Sequence, residues 1–173
     1  MADYPTRFQT ENMPSSDYIV IPEVSSERRS YIPLGFMNPD VLCSNKLRLM
    51  PGASLYHFGI LNSSVHMAWM RAVAGRLKSD YSYSIDIVYN AFVWPDVDDA
   101  TRIKIEKTAQ AILDVRAKYP DSTLADLYDD TTMPADLKKA HQANDKAVLK
   151  ACGLKSTATE SEIVGILLSR YKD

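Results

Sequence analysis

The pattern of hydrophobic and polar positions changes near Pro95. Before that residue, hydrophobic positions come in short stretches of two kinds. Residues 18–21 form an uninterrupted apolar run that a proline closes, while residues 29–32 and 46–50 alternate polar with apolar side chains. Short apolar runs and strict alternation are both typical of β-strands. We therefore predict three strands that form a small sheet in the first part of the chain.

A helical pattern follows these strands. Hydrophobic residues recur at intervals of three and four positions between Val65 and Val73, which is the spacing of one helix face. The polar residues 62–64 can cap the N-terminus of such a helix, and Gly75 can end it. The first part of the chain should therefore combine a sheet with one helix.

Three further helices are predicted after Pro95, because each of three hydrophobic stripes is bounded by residues that favour helix ends. The bounding residues are 96–99 with Pro120 for the first stripe, Pro134 with Gly153 for the second, and Thr159 with Glu162, a capping box, for the third. The predicted fold class is α+β: a small mixed or antiparallel sheet with a helix in residues 1–95, followed by an all-α part in residues 96–173.

Composition agrees with an ordinary globular protein. The chain has 173 residues, of which 46% are hydrophobic and 24% are charged. Because these fractions lie near the average for soluble domains, they argue against disordered and fibrous classes. No apolar run approaches the ~20 residues that a membrane-spanning helix needs, and the first residues lack the layout of a secretory signal. We expect a cytoplasmic protein with no membrane partner.

Scattered cysteine and histidine positions give no sign of a metal site or of catalysis. Cys43 and Cys152 are far apart, and His57, His66 and His141 do not stand at ligand spacing from them or from one another. Zinc sites and disulfide frameworks need closely spaced sets of such residues. We therefore predict reduced thiols, no metal and no catalytic residue in this chain.

One polar segment, residues 75–84, contains residues that could read nucleic-acid bases. Lys78, Asp80 and Ser82 follow one another at every second position, so in an extended backbone their side chains would project from one face. Lysine donates hydrogen bonds, aspartate accepts them and serine does either, and these are the properties that distinguish base edges. From the residue types alone, a solvated hairpin explains the segment better.

Several separated motifs favour the base-reading interpretation over the solvated hairpin. They are Tyr31-Ile32-Pro33-Leu34-Gly35-Phe36, Ser44-Asn45, residues 55–64, His66-Met67-Ala68-Trp69, Gly75-Arg76-Leu77-Lys78-Ser79, Val88-Tyr89-Asn90, and residues 123–129 and 133–141. In order and spacing these motifs resemble the C-terminal part of MmeI-type (type IIL) restriction-modification DNA methyltransferases. The resemblance implies a target recognition domain in residues 1–95 and a C-terminal helical domain in residues 96–173.

In that family, paired and variable positions read the target sequence, and the motifs around them place the pairs in this chain. The implied pairs are Glu23 with Asn45, Lys46 with Ser82, and Lys78 with Asp80. Lys78 suits guanine O6 and N7, and Asp80 suits the cytosine amino group, so together they would read one G·C pair. The first pair suggests cytosine and the second a purine, with guanine favoured. Each of these residues could equally be an ordinary surface residue, and Lys78 with Asp80 a plain ion pair.

Contacts with the DNA backbone need cations near the readers. The candidates are Arg28, Arg29, Arg71 and Arg76, although a scattered surface set remains an alternative, and Arg71 could instead extend along its own helix. The formal net charge of −2 gives the chain no surplus of cations. Since sequence-independent binding to phosphates depends on such a surplus, the chain alone should hold DNA weakly.

The resemblance also divides the labour within a larger enzyme. S-adenosylmethionine would bind the parent enzyme and not this fragment, because no Gly-x-Gly follows a strand here and no Asn-Pro-Pro-Tyr occurs. The partners would be double-stranded DNA and the methyltransferase domain of the parent chain. The alternative is a helical scaffold or protein-interaction module that reads no bases, which the long helical patterns after Pro95 fit equally well.

Overall fold

The computed structural model describes residues 14–171, and its first part contains two small antiparallel sheets. The first sheet has the order β3-β1-β4, with strands β1 (Tyr18–Pro22), β3 (Gly35–Met37) and β4 (Leu47–Pro51). The second has the order β2-β6-β5, with strands β2 (Val24–Ser25), β5 (Gly75–Leu77) and β6 (Asp80–Ser82). Strand β1 continues into β2 with Glu23 alone between them, so a single residue joins the two sheets.

Two helices and the π-helical turn Ile85–Tyr89 complete the first part of the chain. The helices are α1 (Leu55–Leu61) and α2 (Ser64–Val73), both of which are buried over most of their length. Ser63 caps α2, because its side chain accepts a hydrogen bond from the backbone of His66. Helices α1 and α2 therefore form the layer on which the second part of the chain packs.

The second part is helical among its described residues, with α3 (Asp99–Arg116), α4 (Leu124–Leu127), α5 (Ala135–Ala151) and α6 (Glu160–Tyr171). Asp98 caps α3 through the N–H of Thr101 at 2.8 Å, and the Thr159–Glu162 capping box starts α6. Gly153 follows α5 with φ of +72°, the left-handed conformation that glycine adopts most easily. No helix within residues 14–171 is long and apolar enough to cross a membrane.

One hydrophobic core runs through both parts. Helix α1 packs against α3 and α5, and α2 packs against α6. Helices α1 and α3 meet tightly at Gly59, which is buried in α1: a Cβ atom at this position would lie only 2.8 Å from Cγ2 of Ile105. A glycine here lets the backbones of α1 and α3 approach each other.

The predicted α+β fold class is confirmed, and both sheets are antiparallel. The predicted helices after residues 64, 98, 134 and 159 are present, as are the strands at residues 18–21 and 46–50. The strand predicted at residues 29–32 is wrong, because the backbone there turns: Arg29 N–H donates to Ser26 O, and Leu34 N–H donates to Ile32 O. Tyr31 and Ile32 are both buried, so the apparent alternation does not mark two faces of a strand.

Candidate nucleic-acid interface

Glu23 lies where the two sheets meet, and its backbone is bonded to both. Its N–H donates to the carbonyl of Lys46 at 2.9 Å, and its carbonyl accepts from the N–H of Tyr83 at 2.7 Å. The first bond continues the pairing of β1 with β4, and the second continues the pairing of β2 with β6. Both backbone groups of Glu23 are thereby satisfied, which holds its side chain at a defined place between the sheets.

The carboxylate of Glu23 lies between two cations. Oε2 is 3.4 Å from Nζ of Lys46, and Oε1 is 3.2 Å from Nη2 of Arg48. Sequence reasoning did not select Arg48, although residues 46 and 48 alternate with apolar neighbours and so share one face of an extended chain. A carboxylate has about four acceptor positions, so Glu23 can still accept a hydrogen bond from a base while it contacts both cations.

The polar segment is a tight hairpin. Leu77 pairs with Asp80, so Lys78 and Ser79 alone connect β5 to β6. Lys78 has φ of +58°, in the left-handed region, where a residue other than glycine loses roughly 1–2 kcal/mol. The expectation that residues 78, 80 and 82 form one extended row is therefore corrected: Asp80 and Ser82 flank the buried Tyr81 in β6, whereas Lys78 occupies the turn.

Side chains next to the turn hold the hairpin in shape. The guanidinium of Arg76 lies 3.8 Å from the ring centroid of Tyr81, and its Nη1 donates to the carbonyl of Ser79 at 2.7 Å. The same guanidinium is 3.7 Å from Oε2 of Glu27, whose backbone N–H donates to Oδ1 of Asp80 at 3.4 Å. Arg76 therefore contacts the hairpin itself, and its role at a phosphate stays a prediction.

The other three predicted phosphate contacts lie in different places. Arg28 is exposed in the turn after β2, and Arg29 is half-buried in the same turn. Arg71 lies on α2, and its Nη1 is 3.2 Å from Oε2 of Glu160 on α6. The Arg71 side chain therefore joins α2 to α6 and does not lie with the hairpin residues.

The six predicted readers follow one connected path, which we call the reading surface. It comprises Glu23, Asn45, Lys46, Lys78, Asp80 and Ser82. Asn45 precedes Lys46, whose carbonyl accepts a hydrogen bond from the N–H of Glu23. Val24, which follows Glu23 in the chain, pairs with Ser82 in the second sheet. Asp80 and Lys78 continue the path to the end of the hairpin. Each of the six residues is exposed or half-buried, and the set contains donors, acceptors and both signs of charge.

No group of three or more His, Cys, Asp or Glu side chains within residues 14–171 is arranged to hold a metal ion. Cys43 and Cys152 are both free thiols. His66 and His141 are fully buried, and burial lowers the pKa of each to about 3, so both imidazoles are neutral in the folded protein. These histidines are part of the core.

Comparison with known proteins identifies the family. Residues 1–96 match the family model of the MmeI target recognition domain, and residues 97–173 match that of the MmeI C-terminal domain. The chain belongs to the MmeI family. The resemblance noted in the sequence is thereby confirmed. We call residues 1–96 the recognition region and residues 97–173 the C-terminal region of this MmeI-family chain.

Two relatives that match almost the whole chain are much longer than it. DNA methyltransferase A of Bacillus subtilis (strain 168) is 40% identical over 169 residues, which are 98% of this chain and 19% of that protein. A solved structure of the type IIL restriction-modification enzyme MmeI in complex with DNA is 45% identical, with a TM-score of 0.89, and the match covers 92% of this chain and 21% of that one. The chain therefore spans about a fifth of the length of these relatives.

Buried polar contacts join the two regions of this MmeI-family chain. Asp145 on α5 accepts from the hydroxyl of Tyr31 at 2.7 Å and from the N–H of Ser64 at 2.7 Å. Burial raises the pKa of this carboxyl, while the two hydrogen bonds oppose the rise. The ring of Tyr31 also stacks on His141, with 4.0 Å between centroids. A single acidic side chain thus ties α5 to two segments of the recognition region.

Two further side chains from the C-terminal region bind main-chain carbonyls of the recognition region. Nδ2 of Asn144 donates to Gly59 O at 2.7 Å, and Nη1 of Arg116 donates to Leu34 O at 2.6 Å. Each bond crosses between regions and is directed at backbone, so it fixes the position of the main chain itself. The C-terminal region therefore fixes the main chain of α1 and of the residue just before β3.

Proposed function

We propose that this chain is the sequence-reading portion of a site-specific DNA adenine methyltransferase of the type IIL restriction-modification kind. The observation that carries the proposal is the reading surface, where six positions selected from sequence motifs lie along one connected path across both sheets. The match to MmeI, whose solved structure is a complex with DNA, supports duplex DNA as the partner.

The hairpin supplies the chemistry for one base pair. Lys78 offers donors to guanine O6 and N7, and Asp80 accepts from the amino group of the paired cytosine. Within residues 14–171 no carboxylate lies within 4.0 Å of the Lys78 ammonium, which leaves its donors available to a base. The tight turn and the contacts of Arg76 pre-form the loop, so little order has to be gained on binding.

Charge assigns a different task to the rest of the protein. The chain has a net charge of −2, and its reading surface mixes cations with carboxylates. Base contacts specify sequence, whereas phosphate contacts position the protein and dominate affinity. We therefore assign most of the phosphate grip to parts of the longer protein that lie outside this chain.

Methyl transfer and S-adenosylmethionine also belong to those other parts. Nucleotide-type cofactors in open α/β folds bind at the carboxyl ends of parallel strands, next to a helix N-terminus. Both sheets in the described part of this chain are antiparallel and have three short strands each, which does not fit such a site. Here the chain holds the duplex by its base edges while the target adenine is taken out of the stack elsewhere.

The experiment is methylation mapping by single-molecule sequencing of DNA from cells that carry the full-length protein. Wild type is compared with the double variant Lys78→Glu, Asp80→Arg, which exchanges the donor and the acceptor. Because a good base contact discriminates by about 1–3 kcal/mol, the modified motif should change at one base pair, from G·C to C·G.

A matched control exchanges the same charges on α3, where Lys107 and Asp114 are exposed and distant in sequence from the reading surface. The variant Lys107→Glu, Asp114→Arg should retain the wild-type motif. An unchanged motif in the hairpin variant would refute the assignment of Lys78 and Asp80. Absence of any modified motif in wild type would refute the proposed function itself and would favour the helical scaffold that reads no bases.

A further inference from the structure

The register of the hairpin places two more residues beside the readers. In an antiparallel pair, residues directly opposite each other project from the same face of the sheet. Leu77 is opposite Asp80, and Gly75 is opposite Ser82. Positions 75 and 77 of β5 therefore share one face with two predicted readers.

Burial distinguishes this face from the other. On the second face Tyr81 and Ser25 are opposite each other and are only 6% and 4% exposed, while the exposed Arg76 lies over the Tyr81 ring. On the face with the readers, Leu77 is 58% exposed and Gly75 is also exposed. The face of the second sheet that carries residues 75, 77, 80 and 82 is therefore accessible to a binding partner.

Within residues 14–171, Leu77 is not among the side chains that form the hydrophobic core or pack against it. It is a large apolar side chain, mostly exposed, and its cross-strand neighbour is the carboxylate of Asp80, with which it cannot form a stabilising pair. In a DNA major groove an apolar side chain has a specific use, because only thymine presents a methyl group there. A leucine next to polar readers can recognise that group by excluding water from it.

Gly75 is equally unexplained by the fold. Its φ is not in the positive region, where glycine is favoured, and a Cβ built on it would meet no atom within 4 Å. Neither backbone conformation nor packing therefore requires glycine here, although glycine weakens a strand relative to other residues. Glycine inside a strand often marks a bulge, a sharp bend or a close approach of a ligand or another backbone, and the regular register of β5 with β6 shows no bulge at Gly75.

We infer that the DNA-contacting face of the hairpin includes β5, where Leu77 makes an apolar contact with a base edge, such as a thymine methyl group, and Gly75 keeps the space that the duplex occupies beside Ser82. This inference rests on the proposed function. It extends the contact from the paired variable positions to two residues that make no polar contact.

The test uses the full-length protein and two variants, Gly75→Val and Leu77→Ala. A Cβ at position 75 would meet no atom within 4 Å among the described residues, and valine favours a strand, so the urea midpoint of unfolding should stay the same or rise. Its side chain should obstruct the duplex and lower the methylation rate on the wild-type motif by at least about tenfold. Leu77→Ala should lower that rate by about tenfold, because the apolar contact of Leu77 with the base edge is lost.

Each variant has a matched control away from the hairpin. Gly165 in α6 also has open space at its Cβ position, and Ile103 on α3 is 62% exposed. Gly165→Val and Ile103→Ala should methylate at the wild-type rate. A difference in methylation rate between a variant and its control therefore reports the effect of the position, because the chemical change is of the same kind in both.

The outcomes separate this inference from the proposed function. A wild-type protein that modifies a motif, together with Gly75→Val and Leu77→Ala variants that modify it equally fast, overturns the inference and leaves the proposed function intact. A lowered unfolding midpoint for Gly75→Val overturns the claim of open space, and Leu77→Ala then decides the rest. If wild type modifies no motif, the proposed function and the inference fail together.

Discussion

Replacing Gly59 by alanine tests how closely the recognition region and the C-terminal region fit together. Gly59 is buried in α1, and an added Cβ would lie 2.8 Å from Cγ2 of Ile105, 3.2 Å from Cβ of Ala109 and 3.2 Å from Oδ1 of Asn144. Carbon atoms prefer separations of about 3.5–4.0 Å, so the new methyl group cannot be accommodated without movement.

The neighbours of Gly59 have little freedom to move. Ile105 is fully buried, and its branched side chain has one strongly preferred rotamer in a helix. Asn144 is fixed by donation to Gly59 O at 2.7 Å and by acceptance from the hydroxyl of Thr108 at 2.9 Å. Overpacking in such a place costs about 1–3 kcal/mol, whereas the gain in helix propensity from glycine to alanine is about 1 kcal/mol.

We therefore expect Gly59→Ala to lower the free energy of unfolding by up to about 2 kcal/mol, which for a chain of this size corresponds to a fall of roughly 4–8 °C in Tm. Urea and thermal unfolding of the 173-residue chain measure both quantities. Gly165→Ala is the matched control, because Gly165 also lies in a helix but has open space at its Cβ position; that variant should gain up to about 1 kcal/mol. A Gly59→Ala protein as stable as the Gly165→Ala protein would refute the tight contact of α1 with α3 and α5.

Two further predictions concern the buried polar groups. Tyr31→Phe keeps the stack on His141 but removes the 2.7 Å hydrogen bond to Asp145, so unfolding free energy should fall by about 1.5–3 kcal/mol; a change below about 0.5 kcal/mol would contradict the role of this bond. The pKa values of His66 and His141 are lowered to about 3 in the folded protein. Between about pH 6.5 and pH 3 the unfolded chain therefore binds protons at these histidines that the folded chain does not bind. The free energy of unfolding consequently falls as the pH is lowered through this range. From about pH 7 to 5 each of these two histidines should remove about 2 kcal/mol of stability, and a urea midpoint that rises over this range would contradict the prediction. The raised pKa of Asp145 acts in the opposite direction as its carboxylate is protonated.

Helix ends in the second part could be predicted from sequence because they depend on residues a few positions apart. Asp98 accepts from the N–H of Thr101, and Thr159 pairs with Glu162, as the local spacing indicates. Gly153 adopts the positive φ expected of a residue that ends a helix. Such interactions form within one turn and need no information about the rest of the chain.

Strand positions were predicted less well because pairing joins distant residues. The alternation at residues 29–32 indicated a strand, but Tyr31 is buried for a different reason, its contact with Asp145 on α5. The strand β3 begins instead at Gly35, where it pairs with Val20. Helix α1 was not predicted at all, since Gly59 in its middle lowers helix propensity and only its packing against α3 and α5 explains the glycine.

The candidate site shows the same division. Sequence motifs selected six residues as predicted readers but not the residues around them. These are Arg48 beside Glu23, Arg76 and Glu27 around the hairpin, and Leu77 on the face of Asp80. The turn at Lys78 also replaced the extended row expected from the spacing. Spacing along the chain gives the face of a residue only where the backbone stays regular, and a two-residue turn ends that regularity.

By itself the sequence determined the α+β class, most of the helices and, through its motifs, the family; the six reading positions it selected stay predictions. Tertiary structure alone decided that Glu23 joins two sheets, that the six predicted readers follow one path, and that Asp145 and Asn144 bond the C-terminal region to α2 and α1. The physical reason is range. Caps and hydrophobic periodicity act over a few residues, whereas register, burial and ion pairing are settled only when distant segments pack together.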